Sequence, residues 1–181
     1  GGSECVQRID VAQIINHPEY NNVTTANDVS LLQLASNAAY EPIALYDCTS
    51  DACTTPPGLE SAGTLLTVAG WGTLSSGGSS PDVPNQVDVP VVDHETCNGD
   101  AAYDGGVYEA SMICAGDLDT GGIDSCQGDS GGPLFATDGD GVERLVGVVS
   151  WGYGCASPGY PGVYTRVSSF VDFVCSETAD A

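Results

Sequence analysis

Apolar residues along this chain come in short runs cut by clusters of Gly, Pro, Asn and Asp. The stretches 28–34, 64–70, 86–92, 142–151 and 162–167 have the length and spacing of β-strands. With 24 Gly and 10 Pro, the texture predicts an all-β barrel or sandwich protein. One exception lies at the end. Val167, Phe170, Val171 and Val174 share one helical face, and Ser169 with Asp172 has the form of a capping box. A single terminal helix, laid against a barrel, is expected within 168–181. Residues 46–61, rich in Cys, Thr, Pro and Gly and without periodicity, read as a linker. The run 74–81 (LSSGGSSP) reads as an exposed loop between strands. No internal repeat is visible.

The chain has 181 residues, enough for one good-sized domain or two small ones. No apolar run is long enough to span a bilayer. The first residues, Gly1-Gly2-Ser3-Glu4, form neither a basic nor an apolar leader, so the start reads as a cleaved end. Three Lys+Arg stand against 25 Asp+Glu, a formal net charge of −22. Without a basic footprint, nucleic acid and anionic membranes are not expected as partners. Such a surface attracts cationic peptides, although solvation of an extracellular protein explains it as well. Eight cysteines point to an oxidising compartment and a disulfide framework. No CxxC occurs and the two histidines are isolated, so no metal centre is expected.

Residues 124–134 read Asp-Ser-Cys-Gln-Gly-Asp-Ser-Gly-Gly-Pro-Leu. Here a serine sits in a glycine-flanked turn. Such a turn can aim backbone N–H groups at one point while leaving the hydroxyl open. Gly, Asp and Ser are also common in plain surface turns. Eleven residues in this order favour the catalytic reading, and at this point the chain resembles the chymotrypsin–trypsin family of serine proteases. The resemblance continues in Asn27-Asp28-Val29-Ser30-Leu31-Leu32, Ala69-Gly70-Trp71-Gly72, Met112-Ile113-Cys114-Ala115-Gly116, Val149-Ser150-Trp151-Gly152 and Pro161-Gly162-Val163-Tyr164-Thr165-Arg166-Val167. All stand in the family order. More narrowly, the chain resembles the heavy chain of a two-chain, invertebrate-type trypsin.

The resemblance implies a fold of two antiparallel barrels. Residues 1–46 would be the remainder of the first, 47–62 the linker, 63–167 the second barrel, and 168–181 the helix and tail. It implies Ser130 as nucleophile and Asp28 as the residue that orients the histidine. The N–H groups of Gly128 and Ser130 would form the oxyanion hole. Asp129 would receive the N-terminal ammonium of the activated enzyme. Ser150 would support Asp28, and Trp151-Gly152 would be the edge that binds the substrate backbone. Asp124, six residues before Ser130, would be the floor of a specificity pocket walled by Ser125, Gln127, Ser150, Trp151, Gly152 and Gly162. A buried carboxylate there selects a cationic side chain, so cleavage after Arg or Lys is expected. The chain itself has no lysine and only Arg8, Arg144 and Arg166, so it would digest itself slowly. No cofactor is implied.

The family's triad runs His, Asp, Ser along the chain. His17, in Ile15-Asn16-His17-Pro18-Glu19-Tyr20, matches a surface turn of the family, and His94 follows Asp28 and so falls in the wrong order. The histidine is therefore expected on a separate light chain that also carries the activated N-terminus. The alternatives are an inactive fragment and a non-catalytic homologue that binds or regulates. A lectin-like or adhesion sandwich has no reason to carry Asp124 and Ser130 in this register. The resemblance also implies disulfides Cys97–Cys114 and Cys126–Cys155. The family's bridge between the strand before Gly70 and the strand after Ser130 is replaced by Leu66 and Ala136. Cys5, Cys48, Cys53 and Cys175 match no family pair; Cys5 is available to tether the light chain. Asn22-Val23-Thr24 is a glycosylation sequon in the loop before Asp28. Secretion, protein substrates and protein protease inhibitors complete the expectation.

Overall fold

The computed structural model describes residues 7–45 and 58–178. Most of the expected linker at 47–62 lies outside that range, as do Cys5, Cys48 and Cys53. Strands β1 (Val11–Asn16) and β2 (Ser30–Leu34) pair antiparallel as a sheet of their own. Six further strands close into an antiparallel barrel: β3 (Leu65–Gly70), β4 (Asn85–Val92), β5 (Met112–Ala115), β6 (Pro133–Thr137), β7 (Glu143–Trp151) and β8 (Gly162–Arg166). Their order around the barrel is β3-β4-β5-β8-β7-β6. This is the all-β, trypsin-like architecture with a short C-terminal helix.

Period-two burial explains the barrel. Leu66 and Val68 of β3, Val89 and Val91 of β4, Ile113 and Ala115 of β5, and Leu134 and Ala136 of β6 point inward. Val146 and Val149 of β7 and Tyr164 of β8 complete the same core. The odd spacing of Val146 and Val149 matches a register shift against β6, where Leu134 pairs with Gly147 and Phe135 with Leu145. Thr67 pairs with Phe135 and Val68 with Leu134, so Leu66 and Ala136 stand opposite each other one step further on. Both are buried in the core. Where the family places a covalent bridge, packing closes the seam between β3 and β6.

A second apolar cluster lies outside β5 and β8, under the loop that follows the short helix α1 (His94–Cys97). Its members include Cys97, Tyr103, Val107, Met112, Cys114 and Val163. The Cys97–Cys114 disulfide ties α1 to β5.

The C-terminal helix begins later than its apolar spacing predicts. Residues Val167–Phe170 form a 3-10 turn, and the α-helix proper, α2, spans Val171–Thr178. Ser169 lies inside the tight turn, so it does not cap an α-helix. β8 ends with the Arg166 N–H held by the Ser111 carbonyl at 3.0 Å, and the chain must turn sharply there. The 3-10 turn brings both Val167 and Phe170 into buried positions before α2 starts.

β1 and β2 are less well covered. Ile14 is 61% exposed and its cross-strand partner Leu32 is 55% exposed. Hydrogen bonds and an aromatic contact join the segment 7–45 to the barrel side. Arg144 of β7 donates to the Leu45 carbonyl (2.8 Å), and Leu145 N–H to Ala44 (3.0 Å). His17, just beyond β1, packs edge-on against Phe170 and Phe173, with ring centroids at 5.2 and 4.8 Å.

Candidate active site

The turn carrying Ser130 is shaped by Gly128, whose φ of +101° excludes most side chains. Asp129 N–H donates to Cys126 (3.0 Å), Gly132 N–H to Asp129 (2.7 Å) and Gly131 N–H to Val149 of β7 (2.9 Å). These bonds lock the turn on both sides of Ser130. The N–H groups of Gly128 and Ser130 make no hydrogen bond among the described residues. Two unspent donors beside an exposed hydroxyl can receive a developing oxyanion.

Asp129 faces the other way, away from the open turn. One carboxylate oxygen accepts the Gly72 N–H at 2.7 Å, and the other accepts the Cys126 N–H at 2.9 Å. A Cβ on Gly70 or Gly72 would collide with this carboxylate. The two glycines around Trp71 are thus required by an aspartate far along the chain. The carboxylate borders a cavity of about 230 Å³, lined also by Leu74, Asn85, Ile123 and Asp124.

A second cavity, of about 210 Å³, is lined by Asp124, Ser125, Cys126, Gln127, Ser130, Val149, Ser150, Trp151, Gly152 and Gly154. Every expected pocket residue except Gly162 lines it directly. Gly162, in β8, lies behind Asp124; any side chain there would strike the carboxylate and the Tyr164 ring. The Cys126–Cys155 disulfide ties the segment carrying Asp124 to the segment after Trp151. Gln127 is exposed at the rim, where its Oε1 accepts the Gly77 N–H at 3.3 Å.

Asp124 is half-buried. Burial raises its pKa above the ordinary carboxylate value. The N–H groups of Ala156 (3.0 Å) and Ser125 (2.8 Å) and the Tyr164 hydroxyl (3.4 Å) work against that shift. Tyr164 is itself pushed far upward, first by burial and then by the charge of Asp124. It therefore stays a neutral donor. The result is an acceptor-rich floor whose own hydrogen bonds hold it in place without supplying a cation.

Asp28 comes from the β1–β2 hairpin, yet its position is set by the barrel. Ser150 Oγ of β7 donates to its carboxylate at 2.6 Å. Thr165 Oγ1 of β8, fully buried, donates to its backbone carbonyl, also at 2.6 Å. Asn27 precedes it with a φ of +57°, which turns the chain toward the barrel. Both histidines are engaged elsewhere. His17 stacks on the C-terminal segment, and its Nδ1 accepts the Glu19 N–H at 3.2 Å. His94 sits in α1 against Asn98.

Sequence reasoning missed three residues. Thr165, which holds Asp28, sits within a motif quoted for its family order alone. Tyr103 is buried, and its hydroxyl donates to the Pro161 carbonyl at 2.6 Å while lying 3.4 Å from the Tyr153 N–H. Its ring packs on Trp151, Tyr153 and Tyr160 at centroid distances of 4.9, 5.1 and 5.7 Å. Tyr103 thus braces the strand edge Trp151-Gly152 and the segment leading to Gly162 from outside the pocket. Burial pushes its phenol up to about 12, so it remains a donor at any neutral pH. Tyr153, 60% exposed, extends the same aromatic cluster to the surface. Four aromatics spread over residues 103–160 leave no local periodic signal, so only their contacts reveal the group.

A family model described as Trypsin matches residues 2–174. The chain is 47% identical over 177 residues to Trypsin-1 of Astacus astacus, a match covering 96% of this chain and 68% of that protein. It is 45% identical over 173 residues to Serine protease 1 of Rattus norvegicus, covering 93% and 63% respectively. Against Transmembrane protease serine 11C of Mus musculus the identity is 42% over 169 residues, with 93% and 38% covered. The chain therefore spans about two thirds or less of these relatives' lengths. It belongs to the trypsin family of serine proteases. Among the described residues, no helix is long and apolar enough to cross a membrane.

Proposed function

We propose that this chain carries the nucleophile and the specificity pocket of a secreted endopeptidase that cleaves after Arg or Lys, with the general-base histidine supplied by a separate light chain. One observation carries the reading: Ser130 shares a single cavity with the half-buried carboxylate of Asp124. A guanidinium or ammonium that enters this cavity and pairs with Asp124 brings the carbonyl of its own residue toward Ser130.

Ser130 Oγ then attacks that carbonyl, and its proton passes to the histidine. The N–H groups of Gly128 and Ser130 hold the oxyanion, a contribution of about 3–4 kcal/mol per donor at comparable sites. Asp28, held by Ser150 and Thr165, orients the histidine and stabilises its charged form. The leaving amine takes the proton, and water hydrolyses the acyl-enzyme. The cavity beside Asp129 is the receptor for the light chain's N-terminal ammonium. A cation there would draw the Asp129 carboxylate and, through the peptide bonds on either side of it, the oxyanion turn. Two observations support a separate histidine: His17 and His94 are both committed to other contacts, and the hairpin bearing Asp28 leaves Ile14 and Leu32 uncovered. Cys5 is the cysteine assigned to the light-chain tether, and Asn22, exposed in the loop before Asp28, is the assigned glycan site.

Active-site titration with an arginine ester tests the reading. The expected result is an acyl-enzyme burst near one per molecule when the light chain is present. Correctly folded two-chain material without a burst would overturn it in favour of a non-catalytic homologue. An equal burst with an aromatic ester would remove the role of Asp124.

A further inference from the structure

Asn98, at the C-terminal end of α1, uses both ends of its side-chain amide. Its Oδ1 accepts the Val107 N–H at 2.8 Å, and its Nδ2 lies 3.4 Å from Nε2 of His94. A backbone N–H can only donate, so the Val107 bond fixes which end of the amide is oxygen. The NH2 end therefore faces His94. Nε2 must then be an acceptor, with the ring proton on Nδ1. Only a neutral imidazole satisfies this arrangement.

The amide closes the loop over residues 98–107. The rest of that loop is tied to its own start: Gly105 N–H donates to the Asn98 carbonyl and Asp104 N–H to that of Gly99, each at 3.0 Å. Val107 and Tyr103 are both buried in the cluster outside β5 and β8. From this loop the Tyr103 hydroxyl reaches the Pro161 carbonyl at 2.6 Å. Pro161 leads directly into Gly162, which lies behind the Asp124 carboxylate. His94, Asn98, the Tyr103 loop and the back of the pocket thus form one chain of contacts.

Histidine is the side chain that changes charge in mildly acid solution. A charged His94 has no lone pair left for Asn98. The amide then either keeps its NH2 against a cation or rotates and turns that NH2 toward the Val107 N–H. Donor faces donor in both states, and one hydrogen bond is lost. The charged neighbours of His94 on its own segment are Asp93 and Glu95. Thr96 occupies the Asp93 carboxylate through its N–H (2.8 Å) and its hydroxyl (2.7 Å). β5, on which α1 packs, carries Met112, Ile113, Ala115 and the disulfide-bonded Cys114, none of which titrates. The loop's own Asp100 and Asp104 are exposed.

We infer that His94 is an acid sensor for the specificity pocket: its protonation releases Val107 from Asn98 and loosens the loop through which Tyr103 holds Pro161. The effect on the pocket rests on the Arg/Lys reading. The step from His94 to Val107 does not.

The test compares wild type with H94Q, whose side-chain oxygen still accepts from Asn98 but takes up no proton. Both are made as the full protein carrying S130A, so that no proteolysis intrudes. Exchange of the Val107 amide is followed by NMR at about pH 7.5 and about pH 5.5, either side of the histidine range, and corrected for the intrinsic rate. In wild type the acid should speed Val107 exchange by about 2- to 10-fold, the loss of one hydrogen bond. H94Q should show no such change. N98D, whose carboxylate accepts from both Val107 and a charged His94, should keep Val107 protected at both pH values. Imidazole nitrogen shifts at the higher pH should place the His94 proton on Nδ1. Equal behaviour of wild type and H94Q, or a proton on Nε2, overturns the inference. Benzamidine, a small cationic probe, reads the pocket. Asp124 titrates in both proteins, so the ratio of their affinities isolates His94. Wild type should bind benzamidine more weakly than H94Q in acid and equally at the higher pH. A released Val107 with an unchanged ratio overturns the coupling to the pocket. Failure of benzamidine to bind at either pH overturns the Arg/Lys reading instead, while Val107 still decides the sensor.

Discussion

Asp124 carries its charge half out of water, and burial outweighs the N–H groups of Ala156 and Ser125 in setting its pKa. The sign of the consequence follows directly. Only the ionised carboxylate attracts a guanidinium, so kcat/KM for arginine substrates should fall as pH drops through the raised pKa. That fall should begin at a higher pH than an ordinary, exposed aspartate would give. The same group acts oppositely on folding: its ionised form is disfavoured in the native state, so its cost to stability is present above the raised pKa and disappears as acid protonates it. A pH profile of kcat/KM for arginine against uncharged substrates checks the first statement, since only the arginine profile should bend. Asp124→Asn should cost about 2–5 kcal/mol in kcat/KM for arginine esters, the range for removing one partner of a buried charge pair. It should barely change the uncharged ester.

At the scale of elements, β3 and the Ser130 turn are mutually dependent. The Asp129 carboxylate fills the space where Gly70 and Gly72 have no side chain, and it takes up the Gly72 N–H. Gly72→Ala should lower stability by about 1–3 kcal/mol, as overpacking does. Activity should fall by more than that stability loss explains, because the displaced carboxylate shifts the N–H groups on either side of it. Thermal unfolding and burst titration, read together on this variant, check the claim. Adding Asp129→Ala should restore part of the stability and none of the burst.

The same elements show what was legible beforehand. β2, β3, β4, β7 and β8 follow from short apolar runs bounded by Gly, Pro, Asn and Asp, and the Ser130 turn follows from its glycines. β1, β5 and β6 were not singled out. Met112–Ala115 is a strand of only four residues, too short a run to stand out. Pro133–Thr137 opens on a proline, which weakens a strand reading. Asp124, Ser130 and Ser150 were readable because they sit in compact motifs. Thr165 and Tyr103 act through contacts 137 and 58 residues away in the chain, and no local pattern encodes those. The delayed start of α2 was hidden because a 3-10 turn buries the same valine and phenylalanine that a helix would.

On the scale of the whole molecule, a hairpin of two strands rests against a closed barrel through few contacts, and His17 supplies one of them by packing on Phe170 and Phe173. If that packing is its whole role, His17→Ala should cost about 1 kcal/mol or somewhat more, the scale of an aromatic pair beyond its buried area. The burst amplitude should be retained. A loss of about 10⁶ in turnover would instead mark His17 as the base, the scale seen when a triad member is removed. Stopped-flow titration of the variant, alongside its thermal midpoint, separates the two. A net charge of −22 adds self-repulsion to this loosely joined arrangement, so moderate salt should raise the midpoint of wild type and variant alike.

Asp28 takes its coordinates from Ser150 and Thr165, on strands of the barrel, and little from the hairpin that bears it. The loop over residues 18–27 is thereby released from surveying duty. Insertions, deletions or a bulky sugar at Asn22 can remodel the rim of the cleft while the carboxylate keeps its place. A lineage is then free to change which large substrates reach the site without rebuilding the chemistry beneath.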